Sequence, residues 1–252
     1  MGGLATLQTL ATLTAVTLNV CPIFDEIPAI KRSRTTGDRS PLLFVAIWSN
    51  ACLWIFYGIH THAVHPIATT NITGFLSGSY FLSVFHSYAP PLAKVRLARA
   101  FTLAASLITL IGVYAFIFPS SSPSKTQHKL GAMCCLVTIS VYAAPLSSVA
   151  RALQLQSSKP ISLFFALVGT LNAVLWSGYG LLTNDAWVYA PSVIGTILSV
   201  SQAAVFFWFE VVMKRGGKEG GREGGAGKRP TLSEYLMLGT EEGGKEGAAA
   251  LL

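Results

Sequence analysis

Residues Asn50-Ala51-Cys52-Leu53-Trp54-Ile55-Phe56-Tyr57-Gly58 and Asn172-Ala173-Val174-Leu175-Trp176-Ser177-Gly178-Tyr179-Gly180 share one pattern, N-A-x-L-W-x-x-Y-G, at an offset of 122 residues. Two further landmarks keep nearly the same spacing. Cys21-Pro22 matches Ala144-Pro145 at 123, and Asn71-Ile72-Thr73-Gly74 matches Ser192-Val193-Ile194-Gly195 at 121. Three landmarks in one order at one spacing mark an internal duplication.

The duplicated segments are strongly apolar. Of 252 residues, 52% are hydrophobic and only 12% charged, and the mean hydropathy is +0.53. A soluble domain carries about a quarter charged residues to solvate its surface. A membrane-spanning helix needs about 20 mostly apolar residues. That ruler yields seven spans, over 4–30 (broken at Pro22), 41–59, 64–88, 99–118, 130–153, 161–182 and 186–212. The expected fold class is therefore an all-α integral membrane protein. The duplication takes in spans one to three and five to seven and leaves the fourth as a connector. Three crossings are odd, so a direct fusion would invert the second copy; one extra crossing restores its orientation. The organisation expected is 3+1+3 with parallel repeats: a first three-helix repeat over 1–93, a linker helix over 94–124 and a second repeat over 125–213. Residues 214–252 are rich in glycine and charge, cannot bury apolar surface, and read as a disordered cytoplasmic tail.

The net charge of +7 does not read as a nucleic-acid footprint, because of where the charges lie. Seven of the eighteen Lys and Arg follow residue 213 and eleven sit in gaps between spans. On one side of the membrane fall Lys31, Arg32, Arg34, Arg39, Lys94, Arg96, Arg99, Arg151, Lys159 and the tail; on the other, only Lys125 and Lys129. By the positive-inside rule the N-terminus lies outside and the C-terminus in the cytoplasm. The N-terminal apolar stretch lacks a basic leader and reads as the first span in place of a signal peptide. Cys21, Cys52, Cys134 and Cys135 lie in or beside apolar segments without metal-site spacing and read as structural thiols. His60, His62 and His65 cluster near one short gap and read as solvated loop residues, not a metal site.

The chain resembles the SWEET (MtN3/saliva-type, PQ-loop-related) family of sugar transporters over about residues 15–212. The resemblance rests on Tyr142-Ala143-Ala144-Pro145-Leu146, the paired N-A-x-L-W-x-x-Y-G motifs, Asn71-x-x-Gly74 and Pro191-x-x-x-Gly195. Parallel repeats about an axis along the membrane normal, with a site at their interface, are an arrangement that family itself exemplifies. Repeat and resemblance are thus one argument, not two. The resemblance implies a bidirectional facilitative uniporter for a mono- or disaccharide working by alternating access, without a cofactor. It places Asn71, Ser192, Trp54 and Trp176 at the sugar. Amides suit hydroxyls and indole faces suit the C–H face of a pyranose. Asn50 and Asn172 stand four residues before the tryptophans and share their helix face. Tryptophan and asparagine in such helices also simply pack or bond across helices.

Four family prolines, in the first, second, fifth and sixth spans, act as hinges. Pro22 and Pro145 match; in the other two spans the equivalent positions hold Leu43 and Ser162, and Pro41 and Pro160 stand two residues earlier, which suggests displaced hinges. Tyr57 and Tyr179 resemble the extracellular gate. Ser192 replaces the usual asparagine and shortens one polar arm. Asn71 also opens an N-x-T sequon, which a position within a span makes unusable.

No Lys or Arg falls mid-span, and Asp25, Glu26, Asp185 and Glu210 fall near helix ends or in gaps. Proton-coupled carriers place an ionisable group in the membrane, so the pattern favours uniport. It also disfavours a zwitterionic substrate, although a related transporter of an amino acid or other organic solute stays open. A seven-helix receptor predicts no parallel repeat, and an enzyme would need a nucleophile–base pair or metal cluster. The implied partners are a sugar and the lipid bilayer, in the plasma membrane or else an internal one; a homo-oligomer is left open and nucleic acid is not expected. Tyr235-Leu236-Met237-Leu238 matches a loose tyrosine sorting pattern.

Overall fold

The computed structural model describes residues 2–37, 39, 41–117 and 123–213; the tail over 214–252, with its sorting pattern, lies outside the described residues. The described chain is all helical. The helices are α1 (Gly2–Ser33), α2 (Pro41–His60), α3 (Thr69–Tyr88), α4 (Pro91–Phe116), α5 (Pro123–Val141), α6 (Ala143–Leu155), α7 (Leu163–Leu182) and α8 (Ala186–Phe207). One π-helical turn, Val64–Ala68, leads into α3 and another, Trp208–Met213, follows α8. Helices suit lipid because they satisfy their own backbone polar groups.

Among the described residues six helices are long and apolar enough to cross a membrane. The segment outside that set is α3, which at 20 residues has the length, about 30 Å. Its composition is more polar than theirs, and four of its polar side chains are satisfied locally. Asn71, Thr73, Ser77 and Ser79 each donate to a carbonyl one turn back, at Ile67, Thr70, Gly74 and Phe75. The fold is therefore one of six or seven membrane-spanning helices.

Two local expectations need correction. Helix α1 is not broken at Pro22; it runs unbroken from Gly2 to Ser33 with both Pro22 and Pro28 inside it. A proline removes one backbone bond, and a 32-residue helix packed along α3 and α7 keeps its course past that loss. The break appears in the second half, where α5 ends at Val141 and α6 starts at Ala143, just before Pro145. Connector α4 begins at Pro91, not near residue 99, so Lys94, Arg96 and Arg99 lie in its first turns.

Packing is uneven. Val45, Trp48, Ala51, Cys52, Leu53, Trp54 and Tyr57 of α2 are all buried, because α3, α4 and α5 surround that helix. Gly112 of α4 lets Phe56 of α2 approach, with only 3.1 Å between the Phe56 ring and a Cβ placed there. In α7 only Ala166, Ala173, Tyr179 and Gly180 are buried.

Candidate functional site

The Asn, Ala, Trp, Tyr and Gly of the repeated motif make matching contacts in both halves. The terminal glycines lie against the element that follows. A Cβ on Gly58 would stand 2.7 Å from the Ala68 backbone N, and one on Gly180 would stand 2.6 Å from the Tyr189 backbone N. No side chain fits at either. Ala51 and Ala173, second in each motif, face Gly74 and Gly195; a Cβ placed on either glycine would stand 3.4 or 3.6 Å from the alanine Cβ. Trp and Tyr three positions apart form edge-to-face pairs: Trp54–Tyr57 at 5.4 Å and 75°, Trp176–Tyr179 at 5.6 Å and 83°. Such pairs contribute about 0.5–1.5 kcal/mol beyond burial.

The asparagines reach across to the other half. Thr138 of α5 donates to Asn50 Oδ1 at 2.7 Å, and Thr14 Oγ1 of α1 lies 3.1 Å from Asn172 Oδ1. Two threonine–asparagine contacts, one from each half, thus tie the halves together at the level of the tryptophans.

Between the halves lies a cavity of about 240 Å³. Its sixteen lining residues fall into eight pairs at the repeat offsets: Ala15 with Thr138, Leu18 with Val141, Asn19 with Tyr142, Asn50 with Asn172, Trp54 with Trp176, Ile67 with Val188, Thr70 with Pro191, and Asn71 with Ser192. Six are the residues expected at the sugar: Asn71, Ser192, Trp54, Trp176, Asn50 and Asn172. Asn71 Nδ2 donates to the Ile67 carbonyl at 2.9 Å and Ser192 Oγ to the Val188 carbonyl at 2.8 Å. Both side chains are thereby oriented while keeping acceptor capacity for a ligand. None of the lining side chains is ionisable in the ordinary pH range; the cavity offers amides, hydroxyls and two indoles.

Tyr57 and Tyr179 are both buried, in one cluster with Leu53, Trp54, Leu130 and Val188. The Tyr57 hydroxyl stands 2.8 Å from both carboxylate oxygens of Asp185, and Gln127 Nε2 lies 3.3 Å from that hydroxyl. Asp185 also caps α8, accepting from the Trp187 N–H at 3.1 Å. A hydrogen bond to a charged group contributes about 1.5–3 kcal/mol. This contact joins the first half to the second at the N-terminal end of α8. Sequence reasoning placed Asp185 in a gap and gave it no role; the signal available was its capping position before a helix. Trp187 covers Gly131 so closely that a Cβ there would lie inside the indole.

The four prolines are placed differently from one another. Pro22 lies within α1 and Pro145 in the first turn of α6. Pro41 opens α2 and Pro160 sits in the turn before α7, so neither interrupts a helix. Thr138, Asn19 and Tyr142 line the cavity although the sequence reading gave none of them a place at the sugar. Their signal was the spacing itself, seven and three residues before the matched prolines.

A family model described as "Sugar efflux transporter for intercellular exchange" matches residues 5–93 and 128–213. The rice (Oryza sativa subsp. japonica) protein named bidirectional sugar transporter SWEET13 is 31% identical over 217 residues, 84% of this chain and 71% of its own length. Rice (subsp. indica) SWEET15 is 32% identical over 76% of this chain and 59% of its own length. Arabidopsis thaliana SWEET11 is 28% identical over 90% of this chain and 77% of its own length. The chain thus spans little more than half of some of these relatives. A solved structure, a eukaryotic SWEET transporter at 3.7 Å, superposes with a TM-score of 0.71 at 21% identity, covering 82% of this chain and 96% of that one. The fold is the same. The chain belongs to the SWEET (MtN3/saliva) family of sugar transporters, a family of transporters and not of enzymes.

Proposed function

We propose that this chain is a bidirectional facilitative sugar transporter, a uniporter for a neutral mono- or disaccharide. The observation that carries the reading is the cavity of eight paired positions, flanked by Trp54 and Trp176 and polar without being charged. Indole faces and amides recognise a pyranose, whose surface is apolar on one face and hydroxylated at its rim. A few neutral hydrogen bonds, each netting about 0.5–1.5 kcal/mol, give weak binding that a passive carrier can release. A carrier coupled to protons would place an ionisable group in the path; the central cavity's lining supplies none, and Glu26 on the adjoining cavity is paired with Arg39.

In this reading the chain has seven spans in a 3+1+3 order, repeats 1–93 and 125–213 about linker 94–124, with the N-terminus outside. Support comes from the family match falling in two stretches that leave α4 between them, and from the paired cavity. The two halves rock about the sugar. The Tyr57–Asp185 contact holds the extracellular end shut, with Tyr179 beside it, while Pro22 and Pro145 are the sites of bending. Pro41 fixes the backbone at the start of α2 and Pro160 fixes it in the turn before α7, and the two serve as the displaced inner hinges.

Counterflow tests this. Proteoliposomes loaded with unlabelled glucose or sucrose should transiently concentrate the same labelled sugar from outside, with no ion or pH gradient present. Equal labelled uptake into loaded and empty vesicles would overturn the proposal.

A further inference from the structure

The paired cavity continues into a second one of about 470 Å³ that breaks the symmetry. The two share Leu18, Asn19, Asn50, Asn71 and Val141. Every other residue lining the second cavity belongs to the first half, from α1, the α1–α2 loop, α2 and α3. The branch point is the pair Asn19 and Tyr142. In the second half Tyr142 reaches across Gly195 and donates to the Pro191 carbonyl at 2.8 Å. In the first half Asn19 stands in its place, short enough to stop at Thr73, 3.4 Å away.

The chemistry of this arm differs from the central cavity. Its wall carries an ion pair, Arg39 Nε and Nη2 on Glu26 Oε2 at 2.8 and 2.6 Å. Both side chains keep solvent contact, with 32% and 48% exposure. The same cavity is also lined by Ser77 and by the stacked rings of Phe44 and Phe81, whose centroids lie 5.6 Å apart. A neutral ion pair beside aromatic surface offers strong donors and acceptors without a net charge to attract ions. That combination suits a polyhydroxylated, uncharged ring. On the reading that the central cavity holds a sugar, we propose that this arm is a second sugar-ring subsite. A disaccharide seats one ring between Trp54 and Trp176 and the other past Asn19, against Glu26, Arg39 and Ser77. Apart from Val141, the residues that line it all belong to the first half, so the two rings meet different surroundings.

The test compares labelled sucrose with labelled glucose in proteoliposomes of the full chain. Position 77 is matched in the second half by Leu198, so Ser77→Leu fills the arm with a residue the other half carries at the matching position. It should lower the sucrose-to-glucose ratio of kcat/KM at least about tenfold, since losing hydrogen bonds to charged groups and the space for a ring costs that much. Arg39→Gln, at a partly exposed site that does not hold the core, should lower the same ratio several-fold through sucrose KM. It decides the matter if Ser77→Leu does not insert. Equal loss of both sugars in Arg39→Gln, an unchanged ratio in both variants, or wild-type glucose transport with no disaccharide transport would overturn the subsite. Wild-type protein carrying neither sugar would instead overturn the transport reading on which it rests.

Discussion

Helices α2 and α7 carry the same nine-residue motif and live in different surroundings. Helix α4 covers α2, whose residues from Val45 to Tyr57 are largely buried, while α7 exposes Leu167, Leu171, Val174, Leu181 and Leu182. The tryptophans follow suit. Trp54 is 9% exposed and its indole N–H donates to Thr138 at 3.1 Å, in a relay that ends on Asn50. The position facing Trp176 by the same offset is Ala15, which has no hydroxyl to offer. On the Trp54 wall the tie runs through the indole as well as the asparagine; on the other, Thr14 ties Asn172. The motif is repeated, but packing by α4 buries the copy in α2 while much of α7 stays exposed.

The largest test of that contrast is a pair of truncations. Trp54→Ala removes a buried aromatic and should cost about 3–5 kcal/mol, read as a steep fall in the melting temperature of detergent-solubilised protein. Trp176→Ala should abolish uptake as fully with a clearly smaller fall. Equal melting losses would mean the walls are equivalent after all.

The glycines sharpen the comparison from the other direction, because there the halves agree. Gly58→Ala and Gly180→Ala each force a Cβ against backbone and should each destabilise by about 3 kcal/mol, the upper end for overpacking. Similar drops in the yield of folded protein are expected; tolerance of either would show that its half yields more than the geometry allows.

The tyrosines should differ. Tyr57→Phe loses a bond to the Asp185 carboxylate, about 2 kcal/mol, and should expose the cavity from outside. A membrane-impermeant thiol reagent would then label Ser192→Cys faster in a background without the native cysteines. Tyr179→Phe should leave that rate nearly unchanged, since the carboxylate is bonded by Tyr57. The smallest effect is expected of Thr138→Val, which cuts the Trp54 tether for about 1 kcal/mol and should shift sugar KM a few-fold. Ala15→Thr should move it oppositely by giving Trp176 a partner.

Much of this was legible in the sequence for a physical reason. Lipid admits few backbone solutions, so apolar length located the helices, and a duplicated motif put Trp54, Trp176, Asn50, Asn172, Asn71 and Ser192 at one level before any coordinates. What was hidden are contacts between the halves. Asp185 meets Tyr57 across 128 residues of sequence, and nothing local to either residue announces it. Thr14 and Thr138 were lost among many hydroxyls, since Thr6, Thr9 and Thr17 bond only to their own helix. The course of α1 past Pro22 was misjudged because a proline sets a local cost, whereas neighbouring helices decide whether the helix absorbs it. The polarity of α3 shows the same limit, as its hydroxyls are satisfied by carbonyls that hydropathy does not see.

The most direct test is uptake of radiolabelled glucose and sucrose by proteoliposomes, with and without a protonophore, beside Asn71→Ala and Trp176→Ala. Saturable uptake indifferent to the protonophore and lost in both variants is the predicted result. Uptake that collapses with the protonophore, or that survives in both variants, would contradict passive sugar transport through the paired cavity.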